Sequence, residues 1–376
     1  MSDTIPSHTL QLRTLVTEPG TVELSLEEVE VPNPGPNQLL IRIEAAPINP
    51  SDMGLLFGGA DPEVFAAGSS AGRPTASAPL PPAAMRANRA RVGHSLPAGN
   101  EGAGTVLAAG PGLEDMVGRT VAAAGGAAYS QYCVADAGLC MVLPEGVSAA
   151  EGSASFVNPM TALGMIETMR SEGHTAIVHT AAASNLGQML QKACLQEGIG
   201  LVNIVRSPVQ SAILKEIGAE HVCDSSSDSF MGDLIAAVKA TGATIGFDAI
   251  GGGSTTSRIL SAMEAAASAE APFSRYGSNT FKQMYIYGGL DTGPTELTRS
   301  FGFSWNVGGW LLTPFLMKAG AAKVASMRQQ VAAGIKTTFA SHFTDRVSLA
   351  GALDPAAIAI YGRRATGQKY LIEPQS

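Results

Sequence analysis

Apolar and polar residues alternate along most of residues 10–50. The runs 10–14, 22–29 and 38–46 each repeat every second position, and Pro32, Pro34, Gly35 and Pro36 punctuate them. Alternation puts one face of a strand in a core and the other in solvent, so these runs predict β structure. Further strands are predicted at 104–109, 120–124 and 129–135. Residues 59–97 differ: Ala, Gly, Pro and Ser dominate, and hydrophobic periodicity is weak. Such a stretch reads either as a mobile surface excursion or as a lid or interface.

From residue 153 the pattern changes. The run 156–168 reads as a helix entered through Pro159. Strand-like runs at 176–180, 200–205, 220–223, 244–249 and 283–289 then alternate with helical periodicity at 185–197, 208–217, 228–240 and 254–267. That alternation predicts an α/β fold with a doubly wound parallel sheet. Residues 269–281 are irregular and polar. A β-like run at 305–312, a helical tail and a final strand at 368–372 follow. No internal repeat of solenoid length is present.

The junction at 176–188 carries chemistry. A strand breaks into small residues, Ala181–Ser184, and a helix begins at once. Small side chains let backbone approach a pyrophosphate, and the new helix offers amides and a positive dipole end. Asn185 and Gln188 have capping-box spacing, which predicts Asn185 as the cap. An ordinary strand-to-helix connection would look similar. At the end of the next strand, where an acid would bind ribose hydroxyls, stand Arg206 and Ser207. A guanidinium fits a 2′-phosphate, so NADP(H) is expected over NAD(H) unless Arg206 is simply solvated. Glycines also end the next strands, at 246–253 around Ile250 and at 285–291, where close approach of a nucleotide would need them.

Composition narrows the classes. The 376 residues suggest two domains. They are 45% hydrophobic and 15% charged, with a net charge of −8. An acidic chain does not suit a nucleic-acid groove or an anionic membrane surface. No apolar run approaches the ~20 residues of a membrane span, and the longest, near 310–317, is broken by Pro314. The first six residues lack a signal-peptide pattern. Cys133, Cys140, Cys194 and Cys223 include no CxxC pair, so buried thiols in a reducing cytoplasm are expected. The histidines form no HExxH or similar ligand set.

In order along the chain, 41–52 (IRIEAAPINPSD), 99–106 (GNEGAGTV), 157–162 (VNPMTA), 181–187 (AAASNLG), 247–251 (FDAIG) and 308–311 (GGWL) resemble motifs of the medium-chain dehydrogenase/reductase superfamily. The resemblance is to its zinc-free quinone oxidoreductases and 2-enoyl thioester reductases. It implies a GroES-like β domain formed by residues 1–155 and a return segment 313–376. A Rossmann NADP-binding domain at 156–312 is inserted between them, with nicotinamide and substrate in the cleft. Where the alcohol-dehydrogenase branch carries zinc ligands, this chain offers 49–52, Asn100 and Asn158. Asparagine amides are poor zinc ligands, so no metal is expected.

The resemblance also implies residue roles. Asn49 and Thr161 would lie at the nicotinamide and be the catalytic pair. Ser184, Asn185, Leu186 and Gly187 would contact phosphate, and Arg206 and Ser207 the 2′-phosphate. Ile250, Tyr287, Gly288, Gly289, Trp310 and Leu311 would border the cofactor, with Lys369 approaching from the tail. The family's enoyl reductases carry a tyrosine shortly after the 49–52 motif, and 53–59 has none; Tyr129, Tyr132, Tyr276 or Tyr287 could donate a proton instead. The expectation is therefore an NADPH-dependent oxidoreductase that passes hydride directly to a quinone or an activated C=C bond. The alternatives are a 2-enoyl thioester reductase, or an NADPH-binding structural or interaction protein with little turnover. A cytoplasmic homodimer paired through the 305–312 edge strand is expected, with a small-molecule hydride acceptor as partner.

Overall fold

The computed structural model describes residues 5–18 and 20–376. The signal-peptide reading falls largely on residues 1–4, outside them. The chain divides into two compact units, residues 1–157 with 331–376, and residues 158–330.

In the first unit β1 (His8–Thr17) and β2 (Thr21–Glu30) pair antiparallel over their whole length. Their inward positions, among them Leu12, Val16, Val22 and Leu24, are buried, as the alternation requires. β3 (Gln38–Pro47) starts a second sheet. The stretch 59–97 is not structureless. It holds a hairpin, β4 (Ala66–Ser70) and β5 (Arg73–Pro79), and β5 lies antiparallel along β2. Its inward side chains are Ala76 and Ala78, both buried. Alanine gives too little contrast with its polar neighbours for the alternation to show in sequence. β6 (Leu96–Pro97) completes the sheet, in the order β4-β5-β2-β1-β6.

β7 (Glu101–Ala109), β8 (Thr120–Ala124), β9 (Tyr132–Asp136) and β10 (Cys140–Val142) join β3 in the second sheet.

The second unit is an α/β sheet with every pair parallel. Its strands are β11 (Ala176–His179), β12 (Gly200–Val205), β13 (His221–Asp224), β14 (Ile245–Asp248), β16 (Lys282–Ile286) and β18 (Trp305–Gly309). Their order is β13-β12-β11-β14-β16-β18. Chain order reverses beside β11, which makes the crevice at its carboxyl end a ligand position. Helices Asn185–Glu197, Pro208–Glu216, Phe230–Thr241 and Thr255–Ser268 connect the strands. Ala176, Val178, Val202, Ile204 and Met284 form a core with Phe230, Leu234, Ile259 and Phe301.

Two features escaped the hydrophobic pattern. β15 (Gly251–Gly253) pairs with β17 (Asp291–Thr295), since a strand of glycines shows no pattern at all. The fifth Rossmann strand stops at Ile286 rather than 289, before Gly288 and Gly289. The irregular stretch 269–281 is tied down by a buried ion pair. Lys282 Nζ donates to Glu264 Oε2 at 2.6 Å and to the Thr280 carbonyl at 2.8 Å.

Beyond β18 the helix Leu312–Ala319 and most of Ala321–Gly334 remain with the second unit. The division thus falls at 330, eighteen residues past the position read from sequence (330 − 312). β19 (Asp345–Val347) and β20 (Tyr370–Ile372) return to the first unit, where β20 pairs with the end of β3. No helix of the described residues is long and apolar enough to cross a membrane.

Candidate functional site

In the second unit the turn after β11 is built for close backbone approach. Ala181 takes a left-handed conformation, φ 50°, where glycine is usual. A Cβ on Gly187 would lie 2.1 Å from the Ala182 carbonyl oxygen, so only glycine lets the helix start this tightly against the turn. Ser184, not Asn185, is the cap: its hydroxyl accepts the Gly187 amide at 3.2 Å, and Asn185 is the first helical residue. The short hydroxyl of Ser184 sits on extended backbone, the geometry a cap needs. Gln188 instead donates to the Ala183 carbonyl at 2.8 Å. Leu186 is buried beneath this turn.

At the end of β12, Arg206 is exposed, and its amide is held by the Gln210 side chain at 3.1 Å. Ser207 caps the next helix by accepting the Gln210 amide at 3.3 Å. Arg206, beside this cap, is the exposed cation at the strand end.

The carboxyl ends of β11 and β14 share a polar network. Asp248 accepts from the Thr180 hydroxyl at 2.8 Å, the Thr256 hydroxyl at 2.8 Å and the Ile250 amide at 2.9 Å. His179 is fully buried, its Nε2 lying 2.7 Å from the Tyr287 hydroxyl. Burial pushes its pKa down to about 3, so the imidazole is neutral. Tyr287, Gly288, Trp310 and Leu311 come together around a cavity of about 380 Å³, completed by Ile286, Gly309 and Pro314. Gly289 is exposed and lies outside that lining. The Trp310 indole donates to Thr168 Oγ1 at 3.0 Å and packs on Gly164 of the helix Val157–Ser171. Thr161 is buried one turn upstream on this helix face, at i, i+3 spacing from Gly164.

The first unit holds a second polar cluster. Glu101 is fully buried on β7. One oxygen accepts from Asn49 Nδ2 at 2.8 Å, and the other accepts the Phe156 and Val157 amides at 2.9 and 2.8 Å. Burial raises the Glu101 pKa, while Lys369 and these donors oppose the rise. Three donors make sense only for an acceptor, and we therefore take Glu101 as a carboxylate. Asp52 receives the Asn49 and Asn100 amides at 2.8 and 2.9 Å, and burial lifts its pKa to about 6. Tyr129, read from sequence as a possible donor, is buried, with its hydroxyl on the Pro47 carbonyl at 3.0 Å.

Lys369 lies beside this cluster. The Ile48 amide bonds the Tyr370 carbonyl at 3.0 Å, and Leu371 opposes Pro47, so Lys369 falls opposite Asn49 one step along the ladder. Its stem is partly exposed, but its Nζ is buried and has no hydrogen-bond partner. Among the described residues no group of three His, Cys, Asp or Glu is placed to hold a metal ion.

Glu101, Asp52, His179 and Asp248 were not singled out from sequence as site residues. For His179 and Asp248 the signal is a polar side chain closing an apolar strand, for Glu101 an acid opening one; Asp52, in the turn 50–52, carries no such signal.

The second unit with this turn is a Rossmann arrangement, and the first unit is a β unit formed by both chain ends. The comparisons agree. No family model matches the chain. A crystal structure from Mesorhizobium loti, described as an NADPH:quinone reductase, superposes with a TM-score of 0.74 at 28% identity, covering 99% of this chain and 100% of that one. Escherichia coli quinone oxidoreductase in complex with NADPH has a TM-score of 0.68 at 18% identity, covering 97% and 100%, and shares the fold. The mitochondrial enoyl-[acyl-carrier-protein] reductase of Xenopus tropicalis is 28% identical over 211 residues, 53% of this chain and 51% of that one. The chain spans about half the length, or less, of the curated relatives it matches. The chain is thus similar in fold to NADPH:quinone reductases, and enoyl reductases are among the proteins it resembles in sequence.

Proposed function

We propose that this chain is an NADPH-dependent oxidoreductase that reduces a quinone or an activated C=C bond by direct hydride transfer. The turn 181–187, tight enough to exclude a side chain at Gly187 and followed by Arg206 at the next strand end, carries the reading. Backbone amides of 184–187 and the helix dipole bind the pyrophosphate. Arg206 receives the 2′-phosphate. Thr161, Ile250, Tyr287, Gly288, Trp310 and Leu311 hold the nicotinamide half, with Gly289 leaving room beside them. Bound NADPH supplies the hydride. Asn49, fixed by Glu101, orients the acceptor.

Purified protein mixed with NADPH and a quinone panel should oxidise the cofactor, and NADH should serve poorly. Equal use of both cofactors would overturn the NADPH assignment. Likeness to a mitochondrial enoyl reductase favours a second reading, an enoyl thioester reductase. Turnover of crotonyl-type thioesters but not quinones would establish it.

We further propose a homodimer, supported by the edge position of β18 in its sheet. A cytoplasmic location is supported by four buried cysteines that form no disulfide.

A further inference from the structure

We propose that Lys369 is the proton donor of the reaction, giving its ammonium proton to the acceptor once hydride has arrived. The inference rests on the oxidoreductase reading and identifies the acid that it leaves open.

The geometry is the argument. Lys369 lies in the return segment, opposite Asn49 across the ladder between β20 and the end of β3. Its Nζ is buried and bonds to no protein group, an arrangement that costs free energy unless a ligand completes it. The Phe343 ring, its centroid 5.6 Å from Nζ, covers one side. The ionisable groups that act on it are Glu101 from β7 and Asp52 from the 50–52 turn. Both carboxylates are occupied by other donors: Glu101 by Asn49, Phe156 and Val157, Asp52 by the Asn49 and Asn100 amides. They supply a field that favours the ammonium without taking its proton. Burial wins over that field and brings the Lys369 pKa down to about 8, close to the range in which a lysine both carries and releases a proton. Tyr129, the nearby phenol, is committed to Pro47 and Asp52.

The step balances. NADPH gives hydride to a carbon or oxygen of the acceptor and becomes NADP⁺. The electron pair displaced from the acceptor's π system collects on a carbonyl oxygen or α-carbon. That atom takes a proton from Lys369, and the neutral amine is reprotonated from solvent. The ammonium also stabilises the developing negative charge before the proton moves.

The test compares wild type with Lys369→Arg and Lys369→Gln. kcat is measured from pH 6 to 10 at saturating NADPH and acceptor, NADPH affinity by cofactor fluorescence, and folding by circular dichroism. Wild-type kcat should fall as pH rises through about 8. Both variants should lose about 100-fold or more in kcat and the pH step with it, with NADPH affinity within a few-fold of wild type. Arginine keeps the charge but does not release a proton. A Lys369→Arg enzyme with wild-type kcat, or a Lys369→Gln enzyme whose loss lies wholly in NADPH affinity, would make Lys369 a cofactor clamp and overturn the proposal alone. A wild-type protein that oxidises NADPH with no quinone, enone or enoyl thioester would overturn the parent reading as well.

Discussion

Tyr287 sets its hydroxyl 2.7 Å from Nε2 of His179, and the two rings stack at 5.8 Å between centroids. The contact joins the ends of β11 and β16 beneath the cavity that Tyr287 lines. Burial keeps this imidazole neutral.

Acid stability should report that burial. Unfolded, His179 takes up a proton near pH 6.5; folded, it resists protonation down to about pH 3. The unfolded state therefore binds more protons in this window, and stability falls as pH drops below 6.5. At pH 4.5 the loss from this group is about 3 kcal/mol. Urea unfolding between pH 7 and 4.5 should show a shallower slope in His179→Asn than in wild type.

Gly187→Ala should damage both fold and cofactor site. The new Cβ would meet the Ala182 carbonyl at 2.1 Å, and backbone has to yield. We expect a loss of about 1–3 kcal/mol in thermal or urea unfolding. NADPH affinity should drop more than tenfold in a fluorescence titration.

Arg206→Ala should act on one cofactor and not the other. A charge-assisted contact to the 2′-phosphate is worth about 1.5–3 kcal/mol, or roughly 10- to 100-fold in affinity. NADPH binding should weaken by that factor while NADH binding stays within a few-fold. An unchanged NADPH affinity would remove Arg206 from the site.

Glu101→Ala leaves the Asn49 side-chain amide and two backbone amides without their acceptor and removes a carboxylate whose field favours the Lys369 ammonium. Breaking a buried charged cluster from one side costs about 3–5 kcal/mol. Glu101→Gln keeps one good acceptor oxygen and should lose less, and urea unfolding would rank the two.

The exposed edge of the Rossmann sheet predicts its own test. Lys282 donates to the Ser304 carbonyl and Trp310 to Ile286, so Ser304, Asn306, Gly308 and Trp310 turn their backbone groups toward β16. Val307, of opposite parity, turns its amide outward. Sedimentation should give twice the 38.5 kDa chain mass for wild type. Val307→Pro removes the outward donor alone and should shift the mass toward one chain.

Sequence by itself determined the strand-and-helix order. Helix 185–197 and strands 200–205 and 120–124 fall where the pattern puts them; in the first two, large apolar residues stand out from polar neighbours. It also pointed to the phosphate turn, since small residues between a strand and a helix are a local signal. It did not show the hairpin 66–79 or the glycine strand 251–253, where side chains are too small to write a pattern. Only tertiary structure decided that Ser184 and not Asn185 caps the helix, because φ, ψ and reach choose between adjacent candidates. Only tertiary structure joined Asn49, Glu101 and Lys369. They lie 52 and 268 residues apart in sequence (101 − 49 and 369 − 101), and sheet register alone brings them to one buried cluster. Local pattern encodes where the chain buries a face; which polar groups share a buried site depends on pairings between distant strands.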